Sequence, residues 1–398
     1  MNAQNIDSKP VVKRESKNKI RVEFDRTPLK ERLKEKYLSF NFLSKVAIWI
    51  FRMVIMIGIS YIVLFPYISQ IFDSVKTSGD LVDTTVGLIP KNFSLDIYRS
   101  LIEEGAYLER FMDSFTLSLI CAVIQTFVCC LIGYGFAKFK FKGRNLLFLL
   151  VMLTMIIPHQ TLRYSLTMGF RFFDIFGFVR LFKGGGIEMF GHNIMELGEG
   201  VAEFFENLNV LPDQIQWGKY VDARGLEKWK VDMAVTQNGI DLTNTYFPLV
   251  ILSLGGLAFK NGLYIFLLRQ YFRGIPDELE ESAYMDGSGP MRTFIQIILP
   301  LSIPMMITVF MFAFCWQWTD EFYTTNLLGT LAQESLLPSL VTFEPPMLLG
   351  TIPSSHKFAY LPAIHNTAGL MIIFPLVILY SFFQRYLVQG IEQSGLAN

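Results

Sequence analysis

An α-helix crosses the hydrocarbon core of a bilayer when about 20 consecutive residues are mostly apolar. This chain carries six runs of about that length, at roughly 46–68, 111–137, 145–169, 246–268, 301–318 and 361–383. Helices that are apolar on every face bury themselves in lipid or in a large core. The balance of residues agrees with lipid: 52% are apolar, only 18% are charged, and 37 are Phe. The fold class implied is an all-α integral membrane protein with six transmembrane helices.

Charge orients the spans. Residues 1–45 hold twelve Lys or Arg against six acids and lack the short apolar core of a cleaved signal peptide. They read as a basic cytoplasmic tail, with an amphipathic stretch near Leu29–Leu38. Between the second and third runs, Lys138-Phe139-Lys140-Phe141-Lys142-Gly143-Arg144 places four positive charges in seven residues. The positive-inside rule makes this a cytoplasmic hairpin. Six spans with both termini inside is the simplest consistent topology. It divides the chain into a tail (1–45), spans one to three (46–174), an exterior insertion (175–244), spans four to six (245–390) and a short cytoplasmic tail (391–398).

The insertion is acidic, with ten Asp or Glu against four Lys or Arg over 184–245. It is too short for a sizeable core of its own. Its aromatics Trp217, Tyr220 and Trp229 are candidates for contact with a partner. Nearer the bilayer, Asn261, Trp316, Gln317 and Trp318 are candidates for lining a substrate pathway, although tryptophans at span ends also serve as interfacial anchors.

Several chemistries are missing. There is no Gly-x-x-x-x-Gly-Lys-Ser/Thr loop to cradle phosphates. His159, His192, His356 and His365 are scattered, and no metal-binding or nucleophile pattern occurs. Cys121, Cys129, Cys130 and Cys315 fall inside spans and read as small apolar packers. A net charge of zero leaves no footprint for nucleic acid. The deep parts of the spans lack Asp and Glu, the groups that couple a carrier to protons or cations. The chain is therefore not expected to be an enzyme, and any transport it performs draws its energy from elsewhere.

One cytoplasmic stretch is suited to receive that energy. Pro276 fits a first helical turn, and Asp277, Glu278, Glu280 and Glu281 lie where the helix dipole favours acids. Gly287 suits the left-handed position that ends a helix, and Gly289-Pro290 forbids its continuation. A short helix is thus held at 275–300 between two spans.

Glu281-Ser282-Ala283, three residues, Gly287, nine residues and Ile297-x-Leu299-Pro300 resemble the EAA motif of permease subunits in binding-protein-dependent ABC importers. Ile275-Pro276, Asp286-Gly287, Ile89-Pro90-Lys91-Asn92-Phe93, Gly133-Tyr134-Gly135-Phe136-Ala137-Lys138 and Gln384-Arg385-Tyr386 are similar to landmarks of the carbohydrate branch, including the smaller permease chain of maltose transporters. Ser282 stands where the motif usually has Ala. The resemblance implies a type I importer permease in a bacterial plasma membrane. Glu281, Ser282, Ala283, Asp286 and Gly287 would then couple it to two ATP-binding subunits, which hold the ATP and Mg. A second homologous permease, an extracellular solute-binding protein and a carbohydrate, expected to be an oligosaccharide, complete the assembly. A permease for a non-sugar solute, a membrane-embedded transferase and a scaffold without transport are the alternative classes.

Overall fold

In a computed structural model, the structure describes residues 40–174 and 239–395, with short paired strands within 13–21 and 187–236. The chain forms two compact units, 1–69 and 70–398. The first unit is dominated by α1 (Phe40–Asp73), whose apolar side chains are exposed from Ile48 to Ile71. Such a surface suits lipid or another membrane helix.

The second unit holds the remaining spans. The long helices α2 (Tyr107–Lys138) and α10 (Lys357–Gly395) are each apolar and long enough to cross a bilayer. Two further pairs reach that length only if each bent pair is one span. They are α3 (Arg144–Ile156) with the helical stretch His159–Arg171, which contains α4 (Arg163–Arg171), bent by 97°, and α8 (Pro290–Leu301) with α9 (Ile303–Trp318), bent by 75°. Proline explains both bends, Pro158 in the first and Pro304 opening α9 in the second, because proline has no N–H for the ladder.

The fourth apolar run, expected as one span over 246–268, is instead two helices, α5 (Phe247–Leu254) and α6 (Asn261–Gly274). The break is built locally. Leu257 N donates to Leu252 O (2.9 Å) and Gly256 N to Ser253 O (3.2 Å), with Gly256 at φ +67°, which is a Schellman ending. Lys260 then takes a left-handed conformation (φ +66°) and Asn261 N donates to Ala258 O (3.1 Å) as α6 begins.

The spans are otherwise helical, as expected. Outside them lie short antiparallel pairs such as Gln214–Trp217 with Val231–Thr236. The insertion is closed at its base, where Phe173 and Ile240 exchange two backbone hydrogen bonds (3.0 and 2.9 Å).

α2 is the central helix of the second unit. It packs on α5, α6 and α9 and contributes Cys129, Cys130 and Tyr134 to the core. With no water available, its polar groups bond between helices. Gln125 Nε2 donates to Ser253 Oγ (3.2 Å), and Tyr107 Oη donates to Met371 O (3.0 Å). That carbonyl is free because Pro375, four residues on, cannot donate to it. Trp318 Nε1 donates to the next carbonyl, Ile372 O (3.0 Å).

Close helix crossings need small residues. A Cβ added at Gly133 would meet Leu268 Cβ at 2.9 Å and Arg269 N at 3.2 Å, so α2 and α6 touch backbone to backbone there. At Gly135 nothing lies within 4 Å. Gly133→Ala is therefore expected to destabilise the protein by about 1–3 kcal/mol through overpacking, and Gly135→Ala to be neutral or slightly stabilising. Thermal unfolding in detergent, followed by size-exclusion profile, checks the contrast.

Candidate functional site

The cytoplasmic stretch forms the expected helix, α7 (Glu278–Met285). Ile275 leaves α6 in an extended conformation ahead of Pro276. The far end closes as a Schellman motif: Ser288 N donates to Ala283 O (2.9 Å) and Gly287 N to Tyr284 O (3.0 Å), with Gly287 at φ +80°. The glycine is needed for its backbone angle, since a Cβ there would meet nothing within 4 Å.

Lys138, the last residue of α2, fastens this helix. Its Nζ donates to Ile275 O (2.8 Å) and Asp277 Oδ1 (2.5 Å) and lies 3.7 Å from Glu280 Oε1. The side chains of Lys138 and Glu280 are nearly buried, at 8% and 10% exposure. The hydrogen bond from Lys138 holds the Asp277 carboxyl below its ordinary range. A lowered carboxyl pKa leaves this link intact at neutral pH, and the link is lost as pH falls through the lowered value.

Anchored this way, α7 presents one side to the protein and one outward. Glu280 and Ala283 are buried. Ala283 therefore packs against its own chain and does not form part of an outward docking surface. Glu281, Ser282, Asp286 and Gly287 are exposed, and so are Leu279, Tyr284, Met285 and Met291. Met285 is 87% exposed. The exposed side chains of α7 thus include apolar residues beside carboxylates, and Leu and Met are too ordinary in a short helix to stand out in the sequence.

A second site forms where two breaks meet. The bend at Pro158 and the gap between α5 and α6 lie side by side, with the His159 ring edge-on to Phe259 at 4.3 Å. Gly262 brings α6 so close to α3 that a Cβ would fall 2.7 Å from Thr154 Oγ1. Between them opens a cavity of about 380 Å³, which Trp316 and Tyr323 border from the far side. Two of the four pathway candidates reach it. Asn261 is 1% exposed with both amide atoms unpartnered, and Trp316 lies 5.1 Å from the Phe259 ring. Trp318 does not reach it: this residue is buried in the core against Phe314 and bonded to Ile372 O. Gln317 also lies off the cavity, with an unpartnered Nε2. His159 and Lys260 line the cavity and were not singled out from sequence, although a lysine amid an apolar run was a visible signal.

Of the insertion's aromatics, Trp217 and Tyr220 fall on short strands, and Trp229 lies outside the described residues. Among the described residues, no His, Cys, Asp and Glu cluster could hold a metal ion.

A family model for the binding-protein-dependent transport system inner membrane component matches residues 130–393. The arabinooligosaccharides transport system permease protein AraQ of Bacillus subtilis is 24% identical over 358 residues, covering 88% of this chain and 95% of its own. The alpha-glucoside transport system permease protein AglG of Rhizobium meliloti is 26% identical over 302 residues, covering 76% and 60%. The maltodextrin transport system permease protein MalD of Streptococcus pneumoniae is 24% identical over 343 residues, covering 85% and 92%. Among solved structures, a bacterial ABC transporter involved in the import of the acidic polysaccharide alginate matches at a TM-score of 0.55 and 17% identity, over 86% of this chain and 97% of that one.

If Lys138 anchors the cytoplasmic helix, Lys138→Met will raise amide hydrogen exchange across 277–287 by roughly tenfold. Exchange in the middle of α2 should stay unchanged, as measured by mass spectrometry on the detergent-solubilised protein.

Proposed function

This chain belongs to the family of binding-protein-dependent transport system inner membrane components, and we propose that it is one of two permease subunits in a carbohydrate importer. The exposed, anchored α7 helix is the observation that carries the coupling role. The cargo class is supported by relatives named for arabinooligosaccharides, alpha-glucosides and maltodextrin. The assembly is completed by a second permease, two ATP-binding subunits and an extracellular solute-binding protein, in a bacterial inner membrane, with six spans and both termini cytoplasmic.

In this mechanism ATP and Mg act on the partner subunits. The two ATP-binding subunits close on nucleotide and carry α7 with them. Because Lys138 ties α7 to the end of α2, and α2 packs against α5, α6 and α9, motion at α7 passes directly into the central helix. The spans then reorient and expose the cavity to the opposite side. Glu281, Ser282, Asp286 and Gly287 form the docking face together with Leu279 and Met285. The acidic insertion, Trp217, Tyr220 and Trp229 included, faces the exterior and contacts the solute-binding protein.

Reversing a charge at the centre of the docking face tests the coupling role. Glu281→Arg is expected to cut ATP-driven sugar uptake at least about tenfold in proteoliposomes while the variant still inserts in the membrane. Unchanged uptake would sink the assignment. Deleting 184–240 is expected to abolish stimulation of ATP hydrolysis by the solute-binding protein and to leave basal hydrolysis intact; equal stimulation with and without the insertion would refute its docking role.

A further inference from the structure

The cavity between the two broken spans has a chemical character that the coupling mechanism does not use. A lysine stands at the break between α5 and α6. The Lys260 ammonium sits over the rings of Phe259 (4.7 Å) and Trp316 (5.1 Å). Among the described residues no carboxylate lies within ion-pairing distance of it. A cation in a cavity with no carboxylate beside it is left to attract an anionic ligand.

Two further features converge on the same space. Lys260 is the N-cap of the fourteen-residue α6, so the positive end of that helix dipole opens into the cavity. Beside it, the Asn261 amide is buried with neither its oxygen nor its nitrogen bonded. A buried amide left unpaired is destabilising, and a ligand with hydroxyl groups would pair it. Trp316, 43% exposed, offers an aromatic face suited to a sugar ring. The cavity's volume of about 380 Å³ falls in the range of small-ligand pockets.

We propose that this cavity binds the carboxylate-bearing unit of an acidic oligosaccharide, a uronic acid residue, during its passage through the membrane. Lys260 and the α6 N-terminus meet the carboxylate, Asn261 bonds the ring hydroxyls and Trp316 stacks on the ring. The proposal rests on the carbohydrate-permease reading and narrows it to an anionic cargo.

Binding of trigalacturonate and of maltotriose to the complete transporter in nanodiscs, followed by calorimetry, tests it. Trigalacturonate should bind more tightly than maltotriose. Lys260→Met should weaken trigalacturonate at least about tenfold, and Lys260→Arg should keep it within about threefold. Maltotriose should be indifferent to both changes. Equal binding of the two sugars to the unaltered transporter overturns the proposal without any variant, so a Lys260→Met protein that fails to assemble leaves the question decided. Undiminished trigalacturonate binding in an assembled Lys260→Met transporter overturns it equally. In either case the permease reading stands if a neutral sugar is taken up. Uptake of no sugar at all removes the carbohydrate reading and the proposal with it. Competition by free acetate as strong as that by galacturonate would assign the cavity to any small carboxylate and refute the sugar assignment.

Discussion

A peptide group inside a bilayer has no water to bond to, so every backbone N–H and C=O there must find a partner within the protein. The rest of this structure depends on how that constraint is met. α2 meets it by running without an internal proline, and in α10 the carbonyl that Pro375 leaves free accepts from Tyr107. The bent pair of α3 and α4 and the broken pair of α5 and α6 meet it by folding their breaks into self-bonded turns. Ile157 N donates to Leu153 O before the Pro158 bend, and the Schellman turn at Gly256 satisfies the end of α5. Broken backbone at membrane depth is tolerated where protein or a cavity receives it. Here each break receives the other, and the space left between them is the cavity that holds Lys260 and Asn261.

The same economy links that cavity to the cytoplasmic surface. α6 begins at the cavity with Asn261 and ends at Gly274, three residues before the carboxylate that Lys138 grips. α2 contacts α6 closely enough at Gly133 that no side chain fits between them. The closely packed pair of α2 and α6 therefore joins α7 to the mouth of the cavity. A displacement of α7 cannot be absorbed along the way, because packed helices have discrete arrangements and deform little.

Much of this was legible in the sequence. Length and apolarity mark the apolar helices, and Pro276, the acidic first turn and Gly287 mark both ends of α7. The spacing from Glu281 to Pro300 pointed to the family. Other features were hidden for physical reasons. Gly255-Gly256 within an apolar run scores as more span, yet the left-handed turn at Gly256 and its Schellman hydrogen bonds end the helix there. Trp316 and Trp318 stand two residues apart, so they point to roughly opposite sides of a helix. Which of the two faces the core depends on Ile372 and Phe314, which are distant in sequence or a turn away. Ala283 fits the motif by spacing, yet the grip of Lys138 on the start of α7 turns it inward.

The central claim is that work enters through the outward face of α7. Ser282 lies at the middle of that face and is exposed, whereas Cys121, Cys129 and Cys130 are buried. A short thiol-reactive cross-linker on Ser282→Cys in the assembled transporter measures the contact directly. The account predicts a cross-linked product containing this chain and an ATP-binding subunit, with a yield that changes between nucleotide-free and ATP-bound states. A transporter that cycles normally yet gives no such product, or one whose yield ignores nucleotide, would contradict it.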